Sequence, residues 1–171
     1  MSKNVLVIGT GTIGEPLIGL LAEHKESLGL DKVIFFKRTP LSEERGKVEA
    51  LLRKGAEIVS TNDALSEFHQ LGFNEIKDVE LAYEQSDVII DCTPSGNDNW
   101  KKIYSSLSQD KRFIAQGSEH GFGPFFAWGI NNEILKDESN KFLIASCNTH
   151  NIASIVKAFA LDQQRDLLEG K

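Results

Sequence analysis

The chain has 171 residues, 40% of them hydrophobic and 26% charged, with a net charge of −6. That is enough for one domain with a proper core, and the acidic balance argues against a general nucleic-acid or membrane-surface binder, which needs a basic excess. No apolar run approaches the roughly 20 residues of a membrane span, no secretory leader is expected before the first apolar run, and Cys92 and Cys147 are too few for a disulfide framework and lack metal-site spacing. A reduced, cytoplasmic protein without a metal is the expectation.

The first element is a strand, Val5, Leu6, Val7 and Ile8. Gly9, Thr10, Gly11, Thr12, Ile13 and Gly14 follow at once, and then a helix over 15–25. Strand, G-x-G-x-x-G and helix is the order that a dinucleotide pyrophosphate needs. Gly9 allows the tight turn, Gly11 lets the backbone approach the phosphates, and Gly14 lets helix and strand pack closely. The helix N-terminus then faces the anion.

Residues 27–30 read as a break and 32–36 as the second strand, which implies a right-handed parallel crossover. An NAD-preferring site places an acid at the end of that strand, to bind the ribose 2′-hydroxyl. Lys37 and Arg38 stand there instead, followed by Thr39. Cations and a hydroxyl suit a 2′-phosphate, so NADP is favoured over NAD, or both are used; a solvated basic loop is the plainer alternative.

A helix is expected over 42–54, with Ser42 as N-cap and Gly55 as its stop, then a strand over 56–60. Asn62 is placed as the cap of a helix over 63–70, which Gly72 closes. A short strand over 73–76 and a helix over 78–85 follow. His69 falls on a polar face, where a surface histidine is the simple account. The run 87–91 is a buried-type strand leading into Cys92, Thr93, Pro94, Ser95 and Gly96. Ligands of open α/β sheets sit beyond the carboxyl ends of strands, so Thr93 and its loop should border the cofactor. Cys92 reads as a small buried residue at a strand end. A helix over 97–107 carries Trp100, Ile103, Tyr104 and Leu107 at core spacing. A strand over 112–116 ends at Gly117. The aromatic, glycine-punctuated stretch 122–128 either covers a sheet edge or faces another domain or subunit. A short helix over 131–136 and a strand over 141–145 complete the alternation. The whole predicts an α/β, Rossmann-like, doubly wound and mainly parallel sheet with helices on both faces.

The last strand leads to Ser146, Cys147, Asn148, Thr149 and His150, and then to a helix over 151–168. A cysteine at such a junction feels the helix dipole and free backbone N–H groups, both of which favour the thiolate. Beside a nicotinamide site, a thiolate can attack an aldehyde and form a hemithioacetal, which loses hydride to the oxidised cofactor and becomes a thioester. The hydroxyls of Ser146 and Thr149 are placed to bind a phosphate or the acyl acceptor. The bland reading of Cys147 is a small residue where a strand meets a helix.

In order, Gly9 to Gly14, Asp91 to Pro94, Gln116 to His120 and Ser146 to Thr149 resemble the motifs of archaeal-type (type II) glyceraldehyde-3-phosphate dehydrogenases, over nearly the whole chain. The resemblance implies that Cys147 is the nucleophile and that Ser146 and Asn148 flank it in the substrate site. It implies cofactor contacts at Thr12, Ile13 and Gly117, and a lysine of dual or NADP-leaning specificity at Lys37. The family reaction is the reversible phosphorylating oxidation of glyceraldehyde 3-phosphate, with inorganic phosphate and NAD or NADP. His150 and Asn151 stand where the family carries a threonine and a glycine. The resemblance further implies a cofactor domain over 1–147, a long helix over 148–171, and a second domain beyond it that holds the family's catalytic histidine. A homo-oligomer is a further possibility. The alternatives are a stand-alone NAD(P)-binding or sensor module without catalysis, and another aldehyde-oxidising enzyme such as an aspartate-semialdehyde dehydrogenase.

Overall fold

A computed structural model describes residues 3–116, 121–136 and 138–161, with side chains to residue 159. The strands are β1 (Lys3–Ile8), β2 (Leu30–Phe36), β3 (Glu57–Ser60), β4 (Lys77–Asp78), β5 (Val88–Asp91), β6 (Arg112–Ala115), β7 (Phe125–Phe126) and β8 (Lys141–Ile144). The helices are α1 (Gly14–Glu23), α2 (Arg45–Arg53), α3 (Leu65–Gln70), α4 (Val79–Gln85), α5 (Asn99–Lys102) and α6 (Cys147–Val156). All strand pairs are parallel, in the order β4-β3-β2-β1-β5-β6-β8-β7. The chain winds outward from β1 in one direction, then returns and winds outward on the other side. The reversal falls between β1 and β5, and a crevice opens there above the carboxyl ends of the strands.

Two cores explain the alternation of strand residues. Val5, Val7, Val33 and Phe35 point to one face and pack with Ile18 of α1, Val48 and Leu51 of α2 and Phe68 of α3. Leu6, Ile8, Ile34 and Ile89 point to the other and pack with Val79, Ala82 and Tyr83 of α4 and with Tyr104 and Phe113. Period two along each strand and apolar runs buried on both faces are what a doubly wound parallel sheet demands. The fold is Rossmann-like, as expected.

Several local expectations give way. Ser42 does not cap a helix: a single 3-10 turn, Ser42–Glu44, precedes α2, and backbone bonding (Glu44 N–H to the Leu41 carbonyl, 3.1 Å) closes it. Asn62 is not a cap either; its amide donates to the Asp78 carboxylate. No strand forms over 73–76. The chain turns there after Gly72 (φ 91°), and β4 is the two residues that follow. The helix expected over 97–107 is broken. Asp98 takes a positive φ of 54°, α5 lasts one turn, and a second short turn, Tyr104–Ser106, carries Tyr104 into the core.

The aromatic stretch resolves into an edge. Phe122 is buried, 5.6 Å from the Trp100 ring, and β7 pairs outside β8. A Cβ on Gly123 would stand 2.7 Å from the Lys141 carbonyl oxygen, so only glycine permits this approach. No helix among the described residues is long and apolar enough to cross a membrane.

Candidate cofactor and active site

The turn after β1 is built by its glycines. Gly9 has φ 99°, a conformation that other residues rarely adopt. A Cβ on Gly14 would lie 1.9 Å from the Gly9 carbonyl oxygen, so the first residue of α1 must be glycine for the helix to start where it does. Gly11 differs from both. Its φ is ordinary and nothing lies within 4 Å of where its Cβ would be. No side chain caps α1; the Glu15 N–H donates to the Gly11 carbonyl at 3.0 Å and Pro16 has no N–H, which leaves the Gly14 N–H as the first-turn donor for an outside acceptor. The open space beside Gly11 adjoins this helix start.

Beside this turn lies a cleft of about 280 Å³. It brings together five residues that the sequence had pointed to: Gly9, Lys37, Arg38, Thr39 and Thr93. Thr12, Ile13 and Gly14 belong to the adjoining turn and helix start, with Ile13 exposed. Gly117 lies outside the described residues. Tyr83, Asn97 and Asn99 also line the cleft, and nothing in their sequence context marks them. Burial, the Glu80 carboxylate and the Asp91 carboxylate push the Tyr83 phenol up to about 12, so it presents a neutral wall.

The floor of the cleft is organised by Asp91, the last residue of β5, which is buried. Its Oδ1 accepts from the Thr93 N–H at 2.8 Å and from the Thr93 hydroxyl at 2.7 Å. Its Oδ2 accepts from Asn99 Nδ2 at 2.8 Å and the Tyr104 hydroxyl at 2.9 Å. One carboxylate thus fixes the loop after β5 at both ends. Tyr104 stays protonated: burial, then the nearby Asp91 charge, raise it far above the usual phenol range.

Lys37 does not stand free. It is buried, and its ammonium donates to the Glu44 carboxylate, a partner that the sequence reading missed. Arg38, next to it, is exposed and lines the cleft.

Three strand positions from β1 along the same carboxyl edge, β8 leads into α6. The helix begins four residues earlier than the sequence suggests, at Cys147. Ser146 is its N-cap: the hydroxyl accepts from the Thr149 N–H at 3.2 Å and lies 2.9 Å from the Thr149 hydroxyl. Cys147 is the exposed first residue of the helix. The N–H groups of Cys147 and Asn148, in the first turn, have no acceptor within the helix by its geometry. The Nε2 of His150 lies 3.0 Å from the Trp128 carbonyl oxygen, so that nitrogen is a donor. From β1 to β8 is three inter-strand steps, about 14 Å at the usual spacing, so the cysteine and the glycine turn share one edge of the sheet without touching.

No family model matches the chain. Among curated proteins, it is 27% identical over 159 residues to a glyceraldehyde-3-phosphate dehydrogenase of Pyrobaculum calidifontis, a match covering 91% of this chain and 44% of that protein. The corresponding enzyme of Sulfolobus acidocaldarius is 28% identical over 157 residues, covering 89% of this chain and 42% of that protein. The chain resembles the archaeal glyceraldehyde-3-phosphate dehydrogenases. It spans less than half the length of these curated relatives. Among solved structures, the glucose dehydrogenase of Haloferax mediterranei in complex with NADP, Zn and gluconolactone is 16% identical, with a TM-score of 0.48 covering 97% of this chain and 43% of that one.

Proposed function

We propose that this chain is the dinucleotide-binding part, with the nucleophilic cysteine, of an NAD(P)-dependent phosphorylating aldehyde dehydrogenase of the glyceraldehyde-3-phosphate dehydrogenase type. The observation that carries the reading is Gly11. The fold does not need a glycine there, yet the space beside it is open and adjoins the start of α1 and the cleft. The similarity to the archaeal dehydrogenases over nine-tenths of the chain supports it independently.

In this reading Gly9 to Gly14 hold the pyrophosphate and the residues after β2 hold the adenosine ribose. Asp91 keeps Thr93 in place against the cofactor. A bound nicotinamide supplies the hydride acceptor that the oxidation requires. The thiolate of Cys147 attacks the aldehyde carbon, and the hemithioacetal becomes a thioester as hydride leaves. The first-turn N–H groups of α6 stabilise the oxyanion. Inorganic phosphate then attacks the thioester carbonyl, releasing the acyl phosphate and restoring the thiolate. Ser146 acts as the cap that fixes the helix start, and with Asn148 and Thr149 it surrounds the reacting carbon with polar groups. The substrate is a small phosphorylated aldehyde.

Titration with NADPH and NADH, followed by cofactor fluorescence, tests the binding half. The native chain should bind at least one of them. Gly11→Ala should lower the affinity about tenfold or more, a loss of ~1.4 kcal/mol, with an unchanged melting temperature. A native chain that binds neither dinucleotide would overturn the reading. Binding without a reactive Cys147 would leave a nucleotide-binding module without catalysis.

A further inference from the structure

We propose that Glu44 sets the choice between the two nicotinamide dinucleotides, by occupying the Lys37 ammonium that a 2′-phosphate would otherwise engage. The inference rests on the dinucleotide reading above and goes beyond it by naming a residue that disfavours one cofactor.

Lys37 follows β2 directly, where the ribose-binding residue of a doubly wound sheet belongs. Its backbone is fixed on both sides. The N–H donates to the Val59 carbonyl at 3.0 Å, and the carbonyl accepts from the hydroxyl of the buried Ser60 at 2.7 Å. The side chain therefore starts from one place. It is shared between the cleft and a smaller cavity behind it, which Thr10, Glu15, Glu44 and Lys47 line. In that cavity its Nζ meets the Glu44 carboxylate.

Besides this pair, Glu44 adds its negative charge at the start of α2. It ends the 3-10 turn before α2, and neither that turn nor α2 has a side-chain cap. The neighbouring cation, Lys47, pairs with Glu15 at 3.7 Å and reaches Glu44 only through space, as a weaker attraction than the Lys37 hydrogen bond. The Lys37 hydrogen bond holds the Glu44 carboxyl below its usual range, so it is charged at neutral pH.

A 2′-phosphate is a dianion and competes with Glu44 for the same ammonium. A 2′-hydroxyl does not. With Glu44 in place, an NADP molecule must either take the carboxylate's hydrogen-bonded partner or accept only Arg38, which is exposed and in water. Glu44 thus shifts a basic turn, which reads as NADP-specific in the sequence, toward NAD. Specificity here is a difference of affinities, in which an element acting against one ligand counts as much as a contact to the other.

The experiment compares the NADPH-to-NADH affinity ratio of the native chain with that of Glu44→Gln. The two ligands differ only in the phosphate, so a general loosening of the fold does not move the ratio. The ratio should rise about tenfold in favour of NADPH. Adding Lys37→Met to Glu44→Gln should cancel the gain. An unchanged or lower ratio, or a gain that survives in the double variant, overturns the proposal while the dinucleotide reading stands. A native chain that binds neither ligand overturns both. Should Glu44→Gln fail to fold, Glu44→Asp draws the charge back by one methylene and should raise the ratio part of the way; no rise overturns the proposal.

Discussion

At the scale of single residues, Cys92 and Cys147 show how position decides chemistry. Cys92 sits behind the glycine turn, its N–H bonded to the Ile8 carbonyl at 2.8 Å. Burial, with the Asp91 charge adding to it, pushes its thiol up to about 12. At pH 8 only about one Cys92 in 10⁴ is a thiolate, the nucleophilic form. Cys147 is exposed at the first position of α6. Iodoacetamide at pH 8, with the sites mapped by mass spectrometry, should modify Cys147 at least about a hundredfold faster than Cys92. The Cys92 rate should climb about tenfold per pH unit as long as the pH stays below its raised pKa, because the thiolate fraction does. Equal rates at the two sites would sink the assignment of Cys147 as nucleophile. Both positions were legible in the sequence, because a strand end and a helix start are local patterns. The Lys37–Glu44 pair was not. Its partners lie seven residues apart across an irregular turn, and only the folded path of that turn brings them together.

At the scale of elements, the loop after β5 is held by one carboxylate rather than by its own helix. Asp91→Ala would leave Thr93, Asn99 and Tyr104 without their shared acceptor in a buried site. Removing one member of a buried network costs ~3 kcal/mol. Urea unfolding should show a loss of that size, and dinucleotide affinity should fall with it as Thr93 leaves the cleft. A loss under ~0.5 kcal/mol would show that the loop stands without the network. The main strands were readable because their apolar residues are contiguous and β-branched, and most helices because they lie between such strands. The failures share a cause. Ser42 and Asn62 are good capping residues by type, but a backbone turn takes the place of the first and the carboxylate of Asp78 takes the amide of the second. Phe73 and Ile76 are buried, as a strand reading implies, yet they reach the core from a turn. The helix expected over 97–107 has the right spacing for a continuous helix, but Asn97 and Asn99 spend their amides on the preceding loop.

At the scale of the molecule, α6 is set apart from the rest. The strands, α1 and α4 around the cleft rest on the two cores, whereas α6 has no buried residue. Polar contacts to one loop tie it down: His150 donates to the Trp128 carbonyl, and the Lys157 ammonium donates to that of Gly129 at 2.7 Å. Its apolar side chains face outward, with Ile152 63% and Ile155 60% exposed. An apolar residue contributes to folding through the area it removes from water, and these remove little. Ile155→Ser should therefore change the unfolding free energy of this chain by less than ~0.5 kcal/mol. Ile18→Ala, a smaller chemical change at a residue sealed between α1 and the sheet, should cost ~2–5 kcal/mol. Urea titrations of both variants make the comparison. A loss above ~1 kcal/mol for Ile155→Ser would mean that α6 packs on the body of this chain, and that Cys147 is held by apolar contact and not by the polar tether alone.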